Sequence, residues 1–301
     1  APGAELGFCG PATSLQMIQC VNDLADPTKF GADIVVDDLG FILEPYFEDG
    51  PVAQAVAGVL STVIYASSAG NSAQTHYQGD FLGTNVLGFQ DSGPPVRPLP
   101  EHNFGNAAGG ASDPTMDILL LPGITTIILQ WNDAFGEAGN DYDLLILNEA
   151  EDTVLFASAD TQDGDDDPIE NLGLINIGVV PVRVKIAVAK FSGEERFLKL
   201  FLFSSGLVEE YSVPEGSIFG HPAVPGVLAV AAINANDPGN DTIEGFSSRG
   251  PVEILFPSPE TRLKPDVTAV DGVSVTGAGG FPSPFFGTSA AAPHVAGVAA
   301  L

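Results

Sequence analysis

The sequence predicts an α/β fold: a parallel sheet with helices on both faces, interrupted by an inserted antiparallel β-sandwich. Three observations lead there. Strand-like and helix-like patterns alternate toward both ends of the chain, and such alternation builds a parallel sheet covered by helices. Between Gly79 and Pro214 the helical spacing disappears and strand patterns follow one another directly, as they do in sandwiches. Apolar residues make up 45% of the 301 residues and charged residues 16%, a balance that buries a core instead of leaving the chain disordered.

The first segment, residues 1–78, opens with a short run at Glu5–Cys9 and an amphipathic stretch from about Ser14 to Leu24. A strand pattern at Gly31–Val36 follows, then a second helix pattern from Pro51 to Leu60 after the turn residues Glu48-Asp49-Gly50. That helix leads into the apolar run Thr62–Ala66. Parallel sheets of this βαβ kind bind ligands at the carboxyl ends of their strands. In the insert, residues 79–214, strands are predicted at Met116–Leu121, Thr125–Trp131, Asp143–Leu147, Thr153–Ala157, Val182–Lys190 and Phe197–Phe203. Alternation along Val182-Arg183-Val184-Lys185-Ile186 puts apolar side chains on one face and charges on the other. In residues 215–301 the α/β style returns, with Val227–Ala232 as a buried strand and the Ala-rich run after Ser289 as a helix.

Charge narrows the partners. With 10 Lys and Arg against 39 Asp and Glu, the net charge of −29 repels phosphate backbones and anionic lipid headgroups, so neither nucleic acid nor membrane is an expected partner. The longest apolar candidate, Ile118–Leu129, is broken by Pro122-Gly123 and falls short of the roughly 18 residues a membrane span needs. An acidic surface is tolerated where salt or calcium screens its self-repulsion, which points to a secreted, extracellular protein. The chain starts at Ala1-Pro2-Gly3 and ends at Leu301 within a helix-like pattern, so it is expected to be a piece of a longer protein. Cys9 and Cys20 are too few for a disulfide scaffold or a four-ligand zinc site. They form either one local bridge or two separate buried thiols.

The chemistry concentrates in Phe286-Gly287-Thr288-Ser289-Ala290-Ala291-Ala292-Pro293-His294-Val295-Ala296-Gly297. A glycine turns the backbone tightly, a serine stands at the mouth of a helix, and small alanines let that helix pack closely. At such a terminus the amides and the helix dipole favour negative charge, which suits a nucleophile forming an oxyanion.

That run resembles the nucleophile signature of the subtilisin-like serine peptidases, and further segments match in order. Asp38-Leu39-Gly40 falls where the family has a strand edge that pairs with substrate backbone. Ser67-Ser68-Ala69-Gly70-Asn71 is similar to the strand end carrying the oxyanion asparagine. Gly245–Pro251 and Lys264-Pro265-Asp266-Val267 resemble segments upstream of the serine. The resemblance implies a serine endopeptidase with Ser289 as nucleophile and Asn71 as oxyanion donor. It implies peptide bound as an added strand along Leu39, Gly40, Ser68, Ala69 and Gly70. His294, although five residues from Ser289, occupies a position that is structural in the family.

Two departures qualify this. The family's other triad members, an Asp and a His, belong upstream of Ala1–Leu6 and are not among these residues, so the missing N-terminal segment is an expected partner. A lone serine with an oxyanion hole retains about 10³–10⁴-fold over water, and the chain by itself should be nearly inactive. The second departure is Asp37-Asp38, carboxylates where better-known subtilisins have small uncharged residues. One of them, Asp38, is a candidate to act electrostatically at the site or to select a basic side chain. The sedolisins, a related family, use Glu, Asp and Ser, so an acid-acting peptidase with carboxylates in place of His is one alternative, although they carry an Asp at the oxyanion position. A non-catalytic binding module on a degenerate peptidase scaffold is the other.

The insert resembles β-sandwich modules of secreted bacterial peptidases at Trp131-Asn132-Asp133 and Asp141-Tyr142-Asp143-Leu144. Its acidic loops, Asp141, Asp143 and Asp163–Asp167, offer oxygens of the kind calcium takes, without the spacing of a complete calcium loop. No cofactor is required by this reading; calcium is an option.

Overall fold

A computed structural model describes residues 2–87 and 99–301; part of the Gly- and Pro-rich stretch that opens the insert lies outside the described residues. In chain order the elements are α1 (Ser14–Ala25), β1 (Ile34–Asp37), α2 (Pro51–Val59), β2 (Ile64–Ser68), β3 (His76–Asp80), β4 (Gly83–Leu87), β5 (Pro100–His102), α3 (Phe104–Ala107), β6 (Met116–Trp131), β7 (Asp141–Leu147), β8 (Val154–Ser158), β9 (Ile169–Asn176), β10 (Val182–Ser192), β11 (Phe197–Val208), β12 (Leu228–Asn234), β13 (Val252–Ile254), β14 (Glu260–Arg262), β15 (Val267–Asp271) and α4 (Thr288–Ala299). The chain divides into two compact units, Ala1–Ala73 with Glu215–Leu301, and Gln74–Pro214. Among the described residues no helix is long and apolar enough to cross a membrane.

In the first unit, β1, β2, β12 and β15 form a four-stranded sheet in that order, every neighbouring pair parallel. Consecutive strand residues face opposite sides, and both sides are covered. Val35 and Tyr65 pack with Met17 and Val21 of α1 and with Val52 and Val56 of α2. On the other face Ala66, Val230 and Ala232 meet Ala291 and Ala292 of α4, small residues that bring helix and sheet close together. Local chemistry starts each helix: the Thr13 hydroxyl accepts from Gln16 N at 3.2 Å to cap α1, and Pro51 opens α2. Glu5–Cys9 forms no strand and is exposed. Cys9 is tied to Cys20 of α1 by a disulfide, so the two-thiol alternative does not hold.

The second unit begins at Gln74, because β3 pairs antiparallel with β11. All its strand pairs are antiparallel. Its core is built around Trp131, Tyr142, Phe104 and the inward residues of β6, β7, β10 and β11. Val184 and Ile186 face this core, while Arg183 pairs with Glu209 and Lys185 with Asp117 and Glu151. The two strands expected at Met116–Leu121 and Thr125–Trp131 are one strand, β6. Pro122 and Gly123 sit exposed where β6 leaves β10 and takes up β9, so the missing proline donor interrupts no ladder that needs it.

Candidate functional site

The site is assembled at the carboxyl end of β2 and the start of α4. Gly287 caps the helix with φ 120°, a region closed to other residues, and a Cβ there would stand 3.4 Å from Asn71 Nδ2. The Gly287 N–H donates to the buried Asp271 carboxylate at the end of β15, 2.8 Å away, which fixes the turn before the serine. Burial raises the Asp271 carboxyl, and this N–H opposes the rise. Thr288 next locks the asparagine: its backbone N–H (2.9 Å) and its hydroxyl (3.0 Å) both reach Asn71 Oδ1. Because a backbone N–H can only donate, the atom it meets must be the amide oxygen, and Nδ2 is left as the free donor end. The Thr288 hydroxyl also accepts from Gly70 N at 3.2 Å. Ser248 braces the same loop, its N–H on Gly70 O and its hydroxyl accepting from Ser72 N.

Ser289, half-buried in the first turn of α4, has a backbone N–H with no intrahelical partner, as the first residues of any helix do. Two donors, Ser289 N–H and Asn71 Nδ2, therefore belong to one corner that suits an oxyanion. Asp38, Leu39, Gly40, Ser68, Ala69, Gly70, Asn71 and Ser289 all line one pocket of about 120 Å³. The sheet thus brings together the catalytic and substrate-binding residues the sequence singled out; the aspartates considered for calcium belong to the second unit. Among the described residues, no hydrogen bond joins Asp38 or any histidine to Ser289. His294 Nδ1 donates to Ala290 O, one turn back on its own helix. His76 and His102 are core groups of the second unit. Burial pushes them to about 3 and about 4, so both are neutral, His76 donating to Val213 O and His102 paired with the Tyr77 hydroxyl.

Sequence reasoning missed the charges behind the pocket wall. His221, which opens a 3₁₀ turn, places Nε2 2.9 Å from Asp37 Oδ1, with side chains only 2% and 8% exposed. The same oxygen accepts from the Ser67 hydroxyl at 2.8 Å. Burial alone would neutralise both groups, but their mutual attraction wins: His221 is raised above its ordinary value and Asp37 lowered below its own. Glu44, 7% exposed, also lines the pocket and anchors α2, its Oε1 accepting from Val52 N at 3.0 Å. Asp37 and His221 lie 184 residues apart, and no local pattern marks either as a partner of the other.

Of the acidic loops, Asp141 and Asp143 are buried in β7. Asp163, Asp165 and Asp166 have carboxylate oxygens within 4.8 Å of one another, with Asp163 and Asp165 exposed. The Asp163 carboxyl is raised by its hydrogen bond with Asp165 and by the neighbouring charges of Asp165 and Asp166.

A parallel sheet, a serine at a helix mouth and an asparagine amide locked beside it define a peptidase-type site. The chain belongs to the subtilase family, whose family model matches residues 132–301, more than half of it. Among solved structures it is similar to the CspB protease of Clostridium perfringens, at 16% identity and a TM-score of 0.58, over 96% of this chain and 60% of that one. At that identity the likeness is one of fold, and the chain spans less than two thirds of that neighbour's length. No curated protein matches the sequence.

Proposed function

We propose that the chain is the nucleophile-bearing part of a secreted serine endopeptidase, with Ser289 attacking the peptide carbonyl and Asn71 Nδ2 and Ser289 N–H holding the oxyanion. The observation that carries this reading is the double hold of Thr288 on Asn71 Oδ1, which spends the oxygen and presents the donor. Substrate would lie as an added strand against Leu39–Gly40 and Ser68–Gly70, β1 being an edge of the sheet. The second unit is read as an inserted β-sandwich. The proposed chemistry needs no metal; among the described residues a place for calcium is offered by the Asp163 cluster, where a saturable calorimetric isotherm lost on Asp165→Asn would assign it.

The general base is proposed to lie in a segment of the same protein outside these residues, because among the described residues no basic side chain is bonded to Ser289. A fluorophosphonate probe, which reacts only with an activated serine, tests this. The full-length protein is expected to label at Ser289 and Ser289→Ala to abolish the label, while the 301-residue chain labels little. Strong labelling of the chain alone would locate an activating group within it, with Asp38 the first candidate. Failure in both would sink the peptidase reading and leave a binding module on a peptidase scaffold.

A further inference from the structure

We infer that Asp271 keeps a proton on Oδ1 and donates it to the Glu244 carboxylate, and that this hydrogen bond holds the turn from which Ser289 is presented. Asp271 and Glu244 are then positioning residues, a role that rests on reading Ser289 as the nucleophile.

Asp271 is fully buried at the end of β15, and its two oxygens are not alike. Oδ2 accepts from the Gly287 N–H, whereas Oδ1, equally buried, meets no N–H or O–H donor among the described residues. What does reach Asp271 is the half-buried Glu244 side chain, in hydrogen-bonding contact with it. Two ionised carboxylates offer acceptors only, so a hydrogen bond between them requires a proton on one of them. The neighbours decide which. Glu244 Oε1 accepts from Asn234 Nδ2 at 3.0 Å, as a carboxylate does. Asp271, opposite Asn234 in the β12–β15 register, has its charge opposed by burial, and when neutral it still keeps Oδ2 as the acceptor for Gly287.

Among the described residues Glu244 is the charged group that acts on Asp271. β12 presents the neutral Asn234, the loop after it turns Asp237 to its own N–H groups at Asp241 and Thr242, and α4 presents the Gly287 N–H, its one histidine being bonded to Ala290 O. Burial raises the Asp271 carboxyl first, the charge of Glu244 and the bond to it raise it further, and the Gly287 N–H opposes the rise. The stabilisation is therefore complete below the ordinary 3.8 and is lost as pH rises through the folded value. Once the proton leaves, two negative charges face each other in a buried site and repel. Gly287, two residues before the nucleophile, depends on one of them for its only fixed N–H contact at a φ of 120°, so the repulsion loosens the start of α4 and the corner where the oxyanion would form.

Amide exchange at Gly287 in the 301-residue chain, corrected for intrinsic rate and followed against pH, tests this without turnover. In the wild type, protection is expected to fall by up to about tenfold per pH unit above 3.8 until the folded value is passed, as loss of one proton requires. Glu244→Gln puts an amide where the proton was, its oxygen still accepting from Asn234 and its nitrogen donating to Asp271 Oδ1. Asp271→Asn imitates the protonated form from the other side. Both variants should hold Gly287 with that fall removed. Should Glu244→Gln unfold, Asp271→Asn decides. Asp38 and Glu44, whose carboxyls are raised as well, titrate in wild type and variants alike and drop out of the comparison. A level wild-type profile, or the same fall in the variants as in the wild type, would overturn the inference. Exchange reads the turn and not the reactivity of Ser289, so a failure of fluorophosphonate labelling is a separate result and sinks only the peptidase reading.

Discussion

His221→Ala is expected to destabilise the first unit by about 3–5 kcal/mol, since it strips the partner from a buried carboxylate and leaves the charge uncompensated. Asp37 Oδ1 would keep the Ser67 hydroxyl and the Leu39 N–H, which are dipoles and not charges. The same pair sets a pH window. The folded His221 is raised above its ordinary 6.5, so its stabilisation is complete below that value and is lost as pH rises through the folded one. Asp37 is lowered below its ordinary 3.8, so its stabilisation is complete above that value and is lost as pH falls through the folded one. Between about pH 4 and 6.5 both contributions are present, and the wild-type unit should be most stable there, a maximum that His221→Ala removes. Amide exchange in β1 and β2, followed against pH, reads it directly. Trp131, the only tryptophan, is fully buried in the second unit, so its fluorescence should not change with the substitution. Unchanged exchange in β1 and β2, or a loss centred on Trp131, would show that the pair does not hold this wall.

The regular parts of the first unit were legible because local chemistry and burial agree. The amphipathic stretch after Ser14, Pro51 and Gly287 announce their helices, and the apolar runs at Ile34–Val36 and Val227–Ala232 are strands buried in a parallel sheet. The same reading failed where tertiary pairing overrides local signal. β6 runs through Pro122-Gly123 because both lie at an exposed change of partner. β9 escaped notice because its buried Glu170 looks like a surface residue. Its carboxylate accepts from Ser158, Asp160 N and Gln162, and burial lifts it to about 7 against those bonds. At the site, Ser289, Asn71 and the Asp38 edge were visible because each belongs to a run of distinctive residues. Thr288 was quoted within such a run, yet its hold on Asn71 crosses 217 positions. Asp271, Glu44 and His221 carry no local mark at all, being ordinary residues made specific by what the sheet sets beside them.

Asn71→Ala should slow labelling of Ser289 in the full-length protein by about 10²–10³, the loss measured for such a side-chain donor in a subtilisin. The argument lies in the geometry of Thr288. Alanine removes Nδ2 and with it one of two donors at the oxyanion corner, while the Ser289 N–H remains, so the rate falls without vanishing. Oδ1 goes too, which leaves Thr288 N–H and its hydroxyl without their acceptor. Part of any effect could therefore come from a loosened start of α4. Asn71→Asp separates the two causes: it keeps an acceptor for Thr288 and replaces the donor with an oxygen that repels an oxyanion. If Nδ2 acts as the donor, Asp at this position should be at least as slow as Ala at neutral pH, although it restores the hold on Thr288. If the asparagine only braces the helix, Asp should recover most of the wild-type rate. Thr288→Val provides the converse case. It removes the hydroxyl but keeps the backbone N–H on Oδ1, so Nδ2 stays oriented and labelling should fall far less than in Asn71→Ala.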